Sequence, residues 1–425
     1  MGDLHMKDET KCLHAGYQPK NGEPSVMPIV QSTTYRFDST EHIGALFDMP
    51  TEFMYSRFAN PTVDAVEKKI AALEGGVGAM CTSSGQAASL ISVLNLCSAG
   101  DSLLCTAGVY GGTLNLFAVT LKKFGIECIF IDNEASEAEI SGKFKDNTKA
   151  VFSETLANPA LSVCDIEKFS KLAHAHGVPL IIDNTFATPI LCKPFSFGAD
   201  IVIHSTSKYM DGHALQVGGV IVDSGQFNWD NGNFPDFTEP DASYHGVVYS
   251  KDFGAQAYII KARMQLMRDF GAYPAAHSAF LLNLGLETLA VRMERYCKNA
   301  QQVAEYFAAS PKIESVKYPG LKQDEYYDLA QKYLKGASGV VTLVIKGGKA
   351  NAVKFMDGLK LASNEVHVAD IRTCVLHPAS ETHRQLSDEQ LLAAGINPGM
   401  IRFSVGLENI EDILADIEQS LKGVN

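Results

Sequence analysis

Two residues of this chain stand where chemistry needs them. Asp183 closes the apolar run Leu180-Ile181-Ile182, and Lys208 follows the run Ile201-Val202-Ile203 by way of His204, Ser205 and Ser207. Unalternated runs of branched residues, bounded by polar ones, read as strands buried on both faces. A carboxylate at one buried strand end and an amine near the next is the pair that pyridoxal phosphate requires. The amine can condense with the aldehyde, and the carboxylate can keep the pyridine nitrogen protonated, so that the ring draws electrons from a substrate carbanion. Taken singly, either charge reads equally well as a surface residue, and Asp183-Asn184-Thr185 suits an ordinary turn.

Other stretches supply complementary chemistry. Thr82-Ser83-Ser84-Gly85-Gln86-Ala87 joins a strand-like segment to an apolar, helix-like one, Leu90 to Leu96. Small residues at such a junction let backbone N–H groups close on a phosphate. No GK[ST] follows, so this is not a Walker motif. Tyr110 in VYGGT, and Glu154 and Asn158 in SETLANP, also fall at strand ends, where ligands of parallel sheets sit. Arg402 interrupts Met400-Ile401-Arg402-Phe403-Ser404-Val405, and a buried arginine needs an anion, either a structural carboxylate or a substrate. Tyr55 and Arg57 lie just before a helix that Asn60 caps, Pro61 starts, and Gly75 and Gly76 end. On their own they read as exposed loop residues.

The elements that must position these residues follow a βαβ rhythm. Strands are expected at 102–106, 128–131, 150–152, 180–182 and 201–203, with Val220 to Asp223 turning back beside the lysine strand. Together they make a mostly parallel α/β sheet with helices on both faces. Residues 1–60 read as an extended arm, with Pro19, Pro24, Pro28 and Pro50 and little periodicity. Residues 61–260 would form the main α/β domain. Residues 261–425 would form a connecting helical region and a smaller α+β domain, with strands at 340–345, 373–376 and 401–405 and a last helix over 409–421. The polar stretch 228–246 has the length of a loop that covers a site.

Composition narrows the class. At 425 residues the chain is long for one core. A net charge of −13 argues against nucleic-acid and membrane-surface partners. No apolar run approaches a membrane span, and the first residues lack a secretory core. Nine scattered cysteines without a CxxC suggest reduced thiols in a cytoplasmic protein, and no metal-ligand spacing occurs.

With these pieces in order, the chain resembles the pyridoxal-phosphate enzymes of cysteine and methionine metabolism, the cystathionine gamma-synthase family. The matching stretches are YSRFANPT, TSSGQAA, VYGGT, SETLANP, IIDNTFATP, HSTSKY, FLLNLGLETLAVRME, LHPAS and IRFSVGLE. Within it, QVGGVIVDSG and TEPDASYHG are most similar to the branch acting on O-acetylhomoserine with sulfide or a thiol. The resemblance implies a fold-type I transferase with a large seven-stranded sheet domain, working as a cytoplasmic homotetramer of dimers that share active sites. It implies Lys208 as cofactor anchor and proton shuttle, Asp183 on the pyridine nitrogen and Tyr110 stacked on the ring. Gly85, Gln86, Ser205 and Ser207 would hold the phosphate, with Glu154 and Thr185 near the ring. Tyr55 and Arg57 would reach the phosphate from the adjacent subunit, with Tyr55 also beside the substrate. Asn158 and Arg402 would grip the substrate carboxylate.

Three positions bear on substrate choice. His367-Val368-Ala369-Asp370 stands where sulfhydrylases commonly show Asn-Val-Gly-Asp, which brings His367 to the substrate. His213-Ala214-Leu215-Gln216 replaces the more usual His-Gly-Thr-Ser. Gly112 follows Gly111 where methionine gamma-lyases usually carry cysteine. A gamma-lyase acting on methionine, homocysteine or cystathionine is the competing reading, and a non-catalytic protein that keeps the fold for binding is a third.

Overall fold

The computed structural model describes residues 6–48, 52–382 and 396–424, together with residues 384, 387 and 389. Seven strands form the larger sheet: β1 (Gly78–Thr82), β2 (Ser102–Thr106), β3 (Glu127–Ile131), β4 (Thr148–Glu154), β5 (Leu180–Asp183), β6 (Ile201–Ser205) and β7 (Gly219–Asp223). Their spatial order is β1-β7-β6-β5-β4-β2-β3, and β7 alone runs antiparallel to its neighbours β1 and β6. The branched side chains of β5 and β6 are fully enclosed, as runs without alternation require. Burying each contributes about 1.5–3 kcal/mol against its exposed state. That burial fixes the strand ends, and the register sets Glu154 beside Asp183 and Asp183 beside Ile203.

The smaller sheet holds β8 (Ile313–Lys317), β9 (Val340–Ile345), β10 (Ser363–Asn364), β11 (Cys374–Leu376) and β12 (Met400–Ser404), in the order β10-β11-β12-β9-β8. The helices Leu289–Ala309 and Gly348–Gly358 pack on it, and the final helix Ile410–Lys422 packs on those two, around Phe307, Phe355 and Phe403. Thr342 Oγ1 on β9 donates to the carbonyl of Pro159, 2.7 Å away, tying this sheet to the loop after β4.

The first sixty residues depart from the extended arm expected. They contain two helices, α1 (Asp8–His14) and α2 (Thr40–Asp48). Helix α1 packs on α3 (Pro61–Glu74) through Cys12, which is buried. With one enclosed apolar residue and no side-chain cap, α1 carries no periodic signal and is held by its packing. Helix α3 has the ends its sequence calls for: Asn60 Oδ1 accepts from the Thr62 amide at 2.9 Å, and Gly75 closes it at φ 84°.

The segment 228–246 also differs from expectation. It does not cover the site. Trp229, Phe234 and Phe237 turn inward, and Trp229 stacks on Phe237 at 4.3 Å beside Tyr258. Aromatic burial outweighs the polar residues between them.

Candidate active site

A cavity of about 600 Å³ opens at the carboxyl ends of β1, β2, β4, β5 and β6 and is closed from the far side by residues 366–368, Leu376 and Arg402. Parallel sheets bind ligands in that position because each strand end delivers a loop there. Asp183, Thr185, Ser205, Ser207 and Lys208 line it, as do Gly85, Gln86, Tyr110, Glu154 and Asn158. His367 and Arg402 complete the set from the smaller sheet's side.

Lys208 follows β6 by three residues and makes no side-chain hydrogen bond or ion pair among the described residues. Burial, reinforced by the Arg402 charge, lowers its pKa to about 8, so the neutral amine is a minor but substantial fraction at physiological pH, far above that of an ordinary lysine. Asp183 lies at the end of β5. Its Oδ1 accepts from the Thr185 hydroxyl at 2.5 Å and the Thr185 amide at 3.0 Å. No cation pairs with it among the described residues, and burial pushes its pKa up. Glu154, alongside on β4, is pushed up much further by its burial and by the Asp183 charge. Its Oε1 accepts the Tyr110 amide at 2.6 Å. Of the pair, Glu154 is raised the further, so Asp183 is the readier of the two to carry the charge.

The turn after β1 leads into α4 (Gly85–Leu94). Ser84 caps it by accepting from the Ala87 amide, which leaves the Gly85 and Gln86 N–H groups without intrahelical acceptors. A Cβ at Gly85 would lie 2.6 Å from Ser205 Cβ and 2.9 Å from its Cα. Glycine here lets the helix end and β6 close on one another. Ser205 and Ser207 stand on the opposite wall, the latter exchanging hydrogen bonds with Gly218. Tyr110 presents a half-exposed ring.

Arg402 is buried, and it forms no ion pair among the described residues. Its Nη2 donates to the carbonyls of Val366 and His367 at 3.0 Å each, and Nη1 approaches Asn158 Oδ1 at 3.4 Å. No structural carboxylate pairs with it among the described residues, and a guanidinium so placed at a cavity wall is a seat for an anionic ligand.

Of the other residues singled out, Gln216 lines this cavity, His204 does not, and Tyr55 and Arg57, expected to serve a neighbouring subunit, lie outside it. The latter two line a second one of about 280 Å³, with Tyr273 and Asn60. His204 turns away from the chemistry: its Nε2 is hydrogen-bonded to Glu74 Oε1 at 2.6 Å, and both side chains are fully enclosed. Gln216 lines the cavity, with its amide donating to the Thr206 carbonyl. Ser84 and Thr113 were not singled out from sequence, although Ser84 carries the cap signal and Thr113 accepts from Gln86 Nε2 at 3.3 Å.

A buried carboxylate without a cation, a free amine of lowered pKa and two open N–H groups at a helix start fit a phosphorylated pyridinium aldehyde. The fold and site define a fold-type I pyridoxal-phosphate enzyme. The family model described as "Cys/Met metabolism PLP-dependent enzyme" matches residues 9–422, and the chain belongs to that family. It is similar to O-acetyl-L-homoserine sulfhydrylase of Leptospira meyeri, at 45% identity over 99% of this chain and 98% of that one. O-acetyl-L-homoserine sulfhydrylase 1 of Thermus thermophilus is 43% identical over 98% of this chain and 100% of its own length. Among solved structures, one described as an O-acetylhomoserine (thiol)-lyase from Campylobacter jejuni, with a pyridoxyl-lysine phosphate, superposes with a TM-score of 0.93 at 36% identity. That match covers 98% of this chain and 100% of the other.

Proposed function

We propose that this enzyme catalyses γ-replacement, converting O-acetyl-L-homoserine and sulfide, or a thiol, to L-homocysteine (or its thioether) and acetate. The observation that carries the reading is the meeting of Lys208, Asp183, Tyr110 and Arg402 at one cavity, in a chain that matches O-acetylhomoserine sulfhydrylases over almost its whole length.

Lys208 would anchor the cofactor, Asp183 would keep its ring nitrogen protonated and Tyr110 would pack against its ring. The Gly85 and Gln86 amides and the Ser205 and Ser207 hydroxyls would hold its phosphate, while Thr185 hydrogen-bonds Asp183 and Glu154 accepts the Tyr110 amide. When bound, the cofactor supplies an electron sink that makes a proton beside the substrate amine removable. Lys208, neutral in good part near pH 8, takes the α-proton and delivers protons further along the chain. Arg402 and Asn158 hold the α-carboxylate, so the acyl ester extends away from them, with His367 beside it. Loss of a β-proton releases acetate from the γ-carbon, and the sulfur nucleophile adds there. Without a nucleophile the same substrate drains to 2-oxobutyrate and ammonia.

Tyr55 and Arg57 act from a second subunit, on a phosphate in its partner's cavity. Their place in a separate cavity of their own chain supports this reading. The working unit is then at least a dimer, and a tetramer if dimers pair. None of the helices among the described residues is long and apolar enough to cross a membrane, and the nine cysteines are free, as suits a cytoplasmic enzyme. Gly112 speaks against the lyase: a Cβ there would lie 2.5 Å from Tyr110 Cε1 and displace the ring.

Homocysteine and 2-oxobutyrate, measured together from O-acetylhomoserine with and without sulfide, test the proposal. Sulfide-dependent homocysteine with little oxoacid is expected, and both products should vanish in Lys208→Ala. Oxoacid that sulfide does not suppress, without homocysteine, would make the protein a lyase.

A further inference from the structure

Among the described residues the His367 ring makes no hydrogen bond. Its Nε2 is enclosed and unpaired, which leaves Nδ1 as the nitrogen open to a partner that arrives in use. The residue is fixed in place by its backbone, since its carbonyl and that of Val366 both accept from Arg402 Nη2. Those bonds fix the backbone from which the imidazole projects, next to the group that seats the substrate carboxylate. It lines the cavity, as do Val366, Val368, Leu215 and Val217.

The surroundings keep this ring neutral. Burial lowers its pKa, and the Lys208 charge lowers it further. Asp370 and Glu365 on its own segment and Asp211 on the lysine segment pull the other way without reversing the shift. Arg402 adds a second cation on β12. A neutral imidazole has a lone pair to give, and Val366, Val368, Leu215 and Val217 make part of the cavity wall apolar.

An apolar wall favours a sulfur donor that arrives uncharged, as hydrogen sulfide or an alkyl thiol, over its anion. The nucleophile, however, is the thiolate. We propose that His367 is the base that resolves this: its Nδ1 accepts the S–H proton as sulfur attacks. This inference rests on the γ-replacement reading and assigns the second half of that reaction. In the step, the S–H bond breaks and its proton passes to the imidazole, while sulfur bonds to the substrate γ-carbon. The electron pair released at the β-carbon takes a proton from the Lys208 ammonium. The imidazolium then returns its proton to solvent as the product leaves.

The test compares wild-type holoenzyme with His367→Asn, and with His367→Gln should the first variant not retain the cofactor absorbance. Sulfide and a series of alkyl thiols of rising pKa serve as donors, and homocysteine or its thioether is measured beside 2-oxobutyrate. In wild type, kcat/KM for total thiol is expected to depend weakly on thiol pKa and to level off above the His367 pKa. In the variant it should follow free thiolate, rising about tenfold per pH unit below the thiol pKa. The ratio of replacement to oxoacid should fall on the order of 10²-fold, the usual worth of a positioned base. Equal thiol-pKa and pH dependence in both proteins, or a ratio that does not move, would overturn the role of His367. Absence of replacement product in wild type would instead overturn the γ-replacement reading.

Discussion

At the scale of single residues, the cavity's chemistry comes from burial acting on a few ionisable groups. Lys208 is the clearest case, because an ordinary lysine, with a pKa of 10.5, would be almost wholly protonated at pH 7 and could neither condense with an aldehyde nor take a proton. With its folded pKa depressed to about 8, the neutral amine gains as pH rises through 8 and is complete above it. Cofactor uptake by the apoprotein, followed by absorbance, should therefore accelerate with pH and level off just above 8. Continued acceleration towards pH 10 would mean that Lys208 behaves as a solvated lysine. Asp183 and Lys208 were legible because each ends an unmistakable apolar run. The direction of His204 was not, since its neighbours in sequence carry no sign of Glu74, which reaches it from α3 across 130 positions. Nor does sequence tell that His367 lacks a partner, for that depends on what every neighbouring segment fails to offer.

At the scale of elements, the site is assembled by strand ends and by the start of α4. The close approach between α4 and β6 depends on Gly85. An alanine there would press on the Ser205 backbone and push the open N–H groups from where a phosphate would sit. Losing one good charge-assisted hydrogen bond is worth about 1.5–3 kcal/mol. Gly85→Ala should thus weaken cofactor binding by roughly tenfold to a hundredfold. Titration of the apoprotein measures it, and an unchanged affinity would separate α4 from phosphate binding. Most strands were readable to within two residues, as were both ends of α3, where cap, proline and glycine agree with the apolar stripe. Helix α1 and the two-residue β10 were not, because their own sequences do not specify them and tertiary packing does. The inward turn of Trp229, Phe234 and Phe237 was hidden by the asparagines and aspartates around them.

At the scale of the whole molecule, the two sheets hold opposite walls of one cavity, and the Thr342–Pro159 link keeps them together. The placing of Tyr55 and Arg57 in a cavity of their own makes a further demand on assembly. If they serve a partner's phosphate, an Arg57→Ala chain and a Lys208→Ala chain carry complementary defects. Mixed and allowed to exchange subunits, two weakly active preparations should regain activity, because a hybrid dimer contains one site with both residues intact. No recovery, with exchange verified by mass, would confine each site to one chain. Sequence alone suggested this sharing only through family resemblance, since nothing in the spacing of YSR distinguishes a residue that serves its own chain from one that serves a neighbour.

Lys208 is the residue on which the chemistry turns, and other buried lysines provide the comparison that tests it. Lys69 and Lys261 are also enclosed, and burial lowers the pKa of each. Borohydride reduction of the holoenzyme, followed by peptide mapping, identifies the lysine that holds the cofactor. One pyridoxyl group per chain is expected, on Lys208, and none in Lys208→Ala. A pyridoxyl group on Lys69 or Lys261, or a borohydride-sensitive absorbance that survives Lys208→Ala, would contradict it.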